Sequence, residues 1–176
     1  LSAIRDAIET AHAAIRQHGE AHPEDAGLGA TVTALVANPA AGRYAVGHVG
    51  DSRAYLLRRG VFTQLTRDHT LLQDHVDDGR ISASAAERHP FGHVLSQVLG
   101  METGVQPQML QGELELGDQF FLCSDGVTAV LNDREIGEMV SRGKLWPPET
   151  VVRAFVEAVL ERGAPDNATA VLLRRT

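Results

Sequence analysis

The chain has 176 residues, 43% of them hydrophobic, and a formal charge of −7; it can bury one substantial core, and it lacks the charge bias and low complexity of a disordered segment. The acidic balance, with Lys144 as the single lysine, excludes a binder of nucleic-acid backbones, whose affinity comes from clustered Lys and Arg, and means that an anionic substrate would need bound cations. The lone Cys123 excludes an internal disulfide and a cysteine zinc site and fits a reducing cytoplasm, while no stretch approaches the roughly 20 apolar residues that cross a bilayer and no signal pattern opens the chain.

In chain order, residues 1–17 place Leu1, Ile4, Ile8, Ala11 and Ile15 at spacings of three and four, which predicts an amphipathic helix. Residues 19–29, with Pro23 and three acidic residues, read as a loop. Residues 30–37 are rich in β-branched side chains and predict a strand, and 38–42 a turn. Residues 43–49, 53–57 and 61–65 predict three more strands, the last two joined as a hairpin through 58–60, so that four successive strands imply an antiparallel meander. Residues 66–79 change to helical spacing, with Thr66, Arg67 and Asp68 offering caps and Gly79 a stop. Residues 83–88 predict a second short helix, halted at His89-Pro90. The region 66–95 is thus a helical excursion from a sheet protein, a place where binding function commonly resides.

The β pattern resumes over 110–116, turns at Gly117-Asp118 and continues as the apolar run Gln119-Phe-Phe-Leu-Cys123, which ends in Ser124-Asp125-Gly126. Residues 127–140 predict a helix capped at Asn132 or Asp133. Pro147-Pro148 opens an amphipathic helix with the stripe Val151, Val152, Phe155, Val159 and Leu160, ended by Gly163. Residues 168–173 predict a last strand. The class is α+β, sheet on sheet with helices outside.

Three aspartates sit at strand ends: Asp51 after residues 44–50, Asp125 after the 119–123 run, and Asp166 before 168–173. Grouped carboxylates repel one another unless a cation compensates them, and hard oxygen donors suit Mg²⁺ or Mn²⁺, so the three are candidate metal ligands. Each also has a plain reading as a turn residue: Asp125-Gly126 as a hairpin turn, Pro165-Asp166-Asn167 as a turn closed by local hydrogen bonds, and Asp51-Ser52 as a tight pair. The helix after Gly126 weakens the hairpin reading. His18 and His22 are four apart, but Gly19 and Pro23 argue against a helix bringing them together, which leaves solvated histidines. His69 fits a structural role near a helix start or the edge of a metal site. Ser124 lacks the Gly-x-Ser-x-Gly turn of a hydrolase nucleophile, and no Walker-type phosphate loop is present.

Gly47-His-Val-Gly-Asp-Ser-Arg-Ala-Tyr-Leu-Leu-Arg-Arg-Gly60, Gln64-Leu-Thr-Arg-Asp-His-Thr70, Leu122-Cys-Ser-Asp-Gly126 and Gly163-Ala-Pro-Asp-Asn-Ala-Thr169 together resemble the bacterial metal-dependent serine/threonine phosphatases of the PP2C (PPM) family, in order from about residue 28 to residue 173. The resemblance implies an antiparallel β-sandwich flanked by helices and hydrolysis of phosphoserine or phosphothreonine by a metal-activated water. It implies Asp125 and Asp166 as ligands of a second metal, and Asp51 with Asp125 as a third-metal site, with Mn²⁺ or Mg²⁺ and two or three ions in the complete site. It also implies residues 66–95 as a flap beside the site, phosphoprotein substrates of a serine/threonine kinase, and a cytoplasmic, bacterial signalling role. The family's phosphate-binding arginine, its first acidic motif and its Asp-Gly-x-Gly-Gly turn have no counterpart in these residues. Two cations about 3.5–4 Å apart need a shared anionic ligand, so the expectation is a single domain over 1–176, the C-terminal two-thirds or so of a phosphatase. Alone it is expected to be inactive or nearly so and prone to self-association through uncovered sheet edges. The alternative is a pseudophosphatase or interaction domain that keeps the scaffold without the catalysis.

Overall fold

A computed structural model describes residues 1–86, 89, 91–92 and 94–176. By contact density the chain divides into two compact units, Leu1–Val36 with Tyr44–Asp51 and Arg67–Gly112, and Ala37–Arg43 with Ser52–Thr66 and Glu113–Thr176. The predicted α+β class, with antiparallel sheets and helices, is what forms.

The first unit opens with α1 (Ser2–Ala21) and contains most of a sheet of order β1 (Val32–Asn38), β2 (Arg43–Val49), β5 (Gln108–Glu113). The helix stripe is the predicted one. Ile8 is buried with Val49 and Leu99, and Ile4, Ala11, Ile15, Val32 and Val105 pack around them. The helix comes close to β2 because Gly47 presents no side chain; a Cβ there would lie 2.3 Å from Ile4 Cγ2. The excursion that opens at residue 66 contains α2 (Leu71–Asp77) and α3 (Ala83–Ala86). Its two ends are fastened side by side by the bridge Thr70↔Leu95 and by the Leu71 amide donating to the Val94 carbonyl at 2.9 Å. The predicted continuation of α3 through Glu87 and Arg88 to Pro90 lies outside the described residues.

The second unit holds a four-stranded sheet of order β4 (Val61–Gln64), β3 (Arg53–Arg58), β6 (Gln119–Cys123), β7 (Ala170–Arg174). β3 and β4 close through Arg59 and Gly60, at φ of 51° and 85°, the left-handed pair that matches strand twist in a two-residue hairpin. Alternation puts Tyr55 and Leu57 of β3 on one face with Phe121 and Cys123 of β6, since Tyr55 pairs with Phe121. Onto that face pack α4 (Asp125–Thr128), α5 (Asp133–Arg142) and α6 (Pro148–Glu161), through Val127, Leu131, Ile136, Val140, Val151, Phe155 and Val159. Phe121 and Phe155 have ring centroids 4.3 Å apart. The three buried residues of α6 each stabilise by about 1.5–3 kcal/mol.

Several expectations are corrected. β2 and β3 belong to different sheets, so the four strands are two pairs rather than one meander. The chain breaks between them at Gly50, whose φ of 113° interrupts the ladder. α1 runs on through Gly19 to Ala21, because one glycine costs a helix only about 1 kcal/mol. The cap of α2 is Thr70, whose hydroxyl accepts the Gln73 amide at 3.1 Å, not residues 66–68. The helix predicted over 127–140 is two helices. Asn132 restarts it through a capping box with Glu135, which satisfies two orphan amides at once. β5 ends at Glu113, leaving Leu116 outside it and exposed, and Leu160 of the α6 stripe is also exposed.

Candidate functional site

β6 and β7 pair from Gln119↔Arg174 to Cys123↔Ala170, and each then leaves the ladder at the same end. Ser124 ties the two segments just beyond it. Its amide donates to the Thr169 carbonyl at 3.0 Å, and its hydroxyl oxygen accepts the Thr169 amide at 3.0 Å. The segments approach so closely that a Cβ on Gly126 would lie 2.3 Å from the Asn167 carbonyl oxygen. Asp125 and Asp166, the residues preceding Gly126 and Asn167, are thereby set on two strand ends that meet.

Each of these aspartates is exposed and uses Oδ1 to accept the amide that follows it, Gly126 at 2.9 Å for Asp125 and Asn167 at 2.7 Å for Asp166. Such a bond fixes the orientation of the carboxylate while leaving lone pairs on both oxygens for another electrophile. Asp125-Gly126 is not a hairpin turn: it opens α4. At Asp166 the chain bends, and the carboxylate accepts the next amide rather than closing a turn. Hard oxygen donors held at the joined ends of two strands fit Mg²⁺ or Mn²⁺ better than a soft transition metal.

Asp51 lies in the other unit, on the bend that follows β2. The bend requires glycine at position 50 twice over, through its φ of 113° and because a Cβ would lie 2.3 Å from Thr31 Cγ2. His69, buried, satisfies both backbone groups of Gly50. Its amide donates to the Gly50 carbonyl at 2.7 Å, and its Nδ1 accepts the Gly50 amide at 3.2 Å. Its pKa lies below the ordinary histidine value because of desolvation first and the Arg67 charge second, which keeps Nδ1 an acceptor. The expected structural role is therefore filled, although His69 does not cap α2.

His48, which sequence reasoning passed over, is fully buried beside it, with ring centroids 4.9 Å apart. Its Nε2 lies 3.1 Å from the Arg67 carbonyl, an acceptor only, so Nε2 carries the proton and Nδ1 accepts from the Thr33 hydroxyl at 2.8 Å. Desolvation, and then the neighbouring His69, lower its pKa to about 4. The signal was present: a polar side chain in the middle of the apolar run Ala45–Val49 has to find partners.

The remaining candidates resolve plainly. His18 and His22 do come together on the extended α1, stacked at 4.2 Å, with His18 Nε2 2.7 Å from Asp25 Oδ2. Both remain exposed. Asp118 is buried, but Arg58 holds it in a two-pronged ion pair at 2.8 and 2.7 Å. Desolvation raises its pKa, and the Arg58 hydrogen bonds outweigh that and leave it lowered. Among the described residues no three His, Cys, Asp or Glu side chains gather as a metal cluster, and no helix is long and apolar enough to cross a membrane.

Comparison with known proteins adds a second line. A family model described as protein phosphatase 2C matches residues 1–98. The serine/threonine protein phosphatase PstP of Mycobacterium tuberculosis is 37% identical over 175 residues, covering 98% of this chain and 32% of that protein, so the chain spans about a third of its length. The crystal structure of the serine/threonine phosphatase Stp1 from Staphylococcus aureus superposes with a TM-score of 0.91 at 25% identity, covering 99% of this chain and 67% of that one. The catalytic domain of PstP in complex with two manganese ions superposes with a TM-score of 0.76 at 35% identity, covering 92% of this chain and 65% of that one.

Proposed function

The chain belongs to the protein phosphatase 2C family, and from that premise we propose that the protein carrying it removes phosphate from phosphoserine and phosphothreonine in proteins phosphorylated by a serine/threonine kinase. Mn²⁺ or Mg²⁺ is the cofactor, two or three ions in the complete protein, with Asp125 and Asp166 as ligands on the second unit and Asp51 as a further ligand on the first. Residues 1–176 belong to a single phosphatase domain, with a helical flap at about residues 66–95. The activity belongs in the cytoplasm, consistent with a single buried cysteine. One observation supports the site above all: the contact between Gly126 and Asn167, which sets two exposed, locally oriented carboxylates on meeting strand ends.

When bound, such ions offset phosphate charge and supply a nucleophilic water at neutral pH. The chain's own contribution is positional. The Gly126 and Asn167 amides orient the two carboxylates, and Ser124 holds together the two strand ends that carry them. Preorganisation of this kind avoids reorganising charged groups during the reaction.

The test is hydrolysis of an aryl phosphate and of a phosphothreonine peptide by the intact protein. Turnover is expected with Mn²⁺ and is lost in EDTA. Asp125→Ala and Asp166→Ala each lower it by at least about 100-fold, because even partners of metal ligands are worth about 10–100-fold. Wild-type rates in both variants overturn the assignment. Phosphopeptide binding with no metal-dependent turnover identifies an interaction domain instead.

A further inference from the structure

The bend that carries Asp51 has no strand ladder of its own to hold it. β2 ends at Val49 and β3 starts at Arg53, so the residues between depend on outside partners for their geometry. For Gly50, one residue provides both. His69 donates its amide to the Gly50 carbonyl at 2.7 Å and accepts the Gly50 amide on Nδ1 at 3.2 Å. His69 is itself anchored, since its carbonyl accepts the Ser96 amide at 2.8 Å and its ring rests near that of His48 at 4.9 Å between centroids. The residue is 4% exposed, so water cannot readily replace Nδ1 as the acceptor for the Gly50 amide, and a buried amide left without an acceptor is unfavourable.

We propose that His69 is a positioning residue for Asp51: its imidazole Nδ1 holds the Val49–Gly50 peptide that leads into the bend, and with it the turn from which the Asp51 carboxylate takes up a divalent cation. This rests on the reading of Asp51 as a cation ligand. The two bonds to Gly50 are separable by mutation, because the backbone bond survives any side chain at position 69 while the Nδ1 bond does not. Asparagine places its Oδ1 close to where Nδ1 stands and can accept the same amide. Glutamine reaches toward the Nε2 position and cannot accept it in the same geometry.

Direct Mn²⁺ binding to the intact protein, followed by the electron paramagnetic resonance signal of free Mn²⁺, reads the effect without relying on turnover. Melting temperature without metal is recorded alongside. Asp51→Asn is expected to raise the Mn²⁺ half-saturation of one site by about 10-fold or more, His69→Ala by about 3–10-fold, and His69→Asn by less than about twofold. The double variant Asp51→Asn/His69→Ala is expected to bind no more weakly than Asp51→Asn alone, since residues acting through one group are not additive.

If Asp51→Asn leaves Mn²⁺ binding unchanged, Asp51 is not a ligand, and both that reading and this inference fall. If Asp51→Asn weakens binding while His69→Ala does not, or if His69→Asn is as weak as His69→Ala, or if the double variant is additive, the inference alone falls. Should His69→Ala not fold, the comparison passes to His69→Asn against His69→Gln. Near-wild-type binding in the first with weakened binding in the second supports the assignment, and equal binding in the two overturns it.

Discussion

Gly126 is the position at which the smallest chemical change should disturb the candidate site most. In Gly126→Ala the added carbon would lie 2.3 Å from the Asn167 carbonyl oxygen and 2.8 Å from its carbon, whereas real Cβ contacts essentially never fall under 3.0 Å. Both obstacles are backbone, so no side-chain rotation relieves the clash, and the two segments must separate by at least about 0.7 Å. A displacement of that size carries the bonds between Ser124 and Thr169, now 3.0 Å each, out of hydrogen-bonding range. Overpacking costs about 1–3 kcal/mol and each lost bond about 0.5–1.5 kcal/mol. Against this, alanine recovers up to about 1 kcal/mol of helix propensity in α4. A net loss of about 2–4 kcal/mol lowers the melting temperature by roughly 5–15 °C for a chain of this size. The strand ends bearing Asp125 and Asp166 move apart with it, so the half-saturation of Mn²⁺ binding should rise by about 10-fold or more. Calorimetry and a Mn²⁺ titration of the same preparation check both. A variant melting within 1 °C of the wild type, by order of magnitude, with unchanged Mn²⁺ binding would refute the claim that this contact sets the site.

Two further outcomes are expected. Gly19 lies inside α1 with open space around it, its nearest neighbour being the Asp25 carbonyl oxygen at 3.7 Å, so Gly19→Ala should stabilise the chain by about 0.5–1 kcal/mol in urea denaturation; destabilisation would contradict the helical path through that position. His48 is neutral in the fold with a pKa of about 4, while the unfolded chain protonates it near the ordinary value of about 6.5. The unfolded state therefore binds more protons between those pH values, and stability, fully present above about 6.5, falls as pH drops toward 4 by up to about 3 kcal/mol. Urea midpoints across that range measure the slope, and an unchanged slope in His48→Asn would show that His48 does not cause it.

Features that depend on local chemistry were legible in the sequence. The Arg59-Gly60 hairpin, the α6 stripe, the Asn132 cap and the strand ending at Asp125 follow from turn preference, period and capping residues close together in the chain. Features decided by distant partners were not. Gly19 argues locally for a break, yet α1 crosses it and ends only at Ala21, just before Pro23, with Ile15 packed near Gly100 and Leu99. The division between β2 and β3 rests on the Gly50 bend, whose partners are 19 positions along the chain. At the candidate site, Asp125 and Asp166 could be named from their strand-end positions, but their approach across the Gly126–Asn167 contact, and the His69 support behind Asp51, exist only once the chain has folded.

The fastening of the excursion has a consequence for how such a chain can diversify. Because Thr70 and Leu95 are bridged and Leu71 bonds to Val94, everything between them starts and finishes at one point on the scaffold. To the rest of the molecule this segment is a closed loop. Doubling the length of a closed loop costs only about 0.6 kcal/mol in closure entropy, far less than altering a strand. The clasp therefore works as a socket: a change in the length of the segment it closes leaves the Gly50 bend and the β1-β2-β5 sheet as they are.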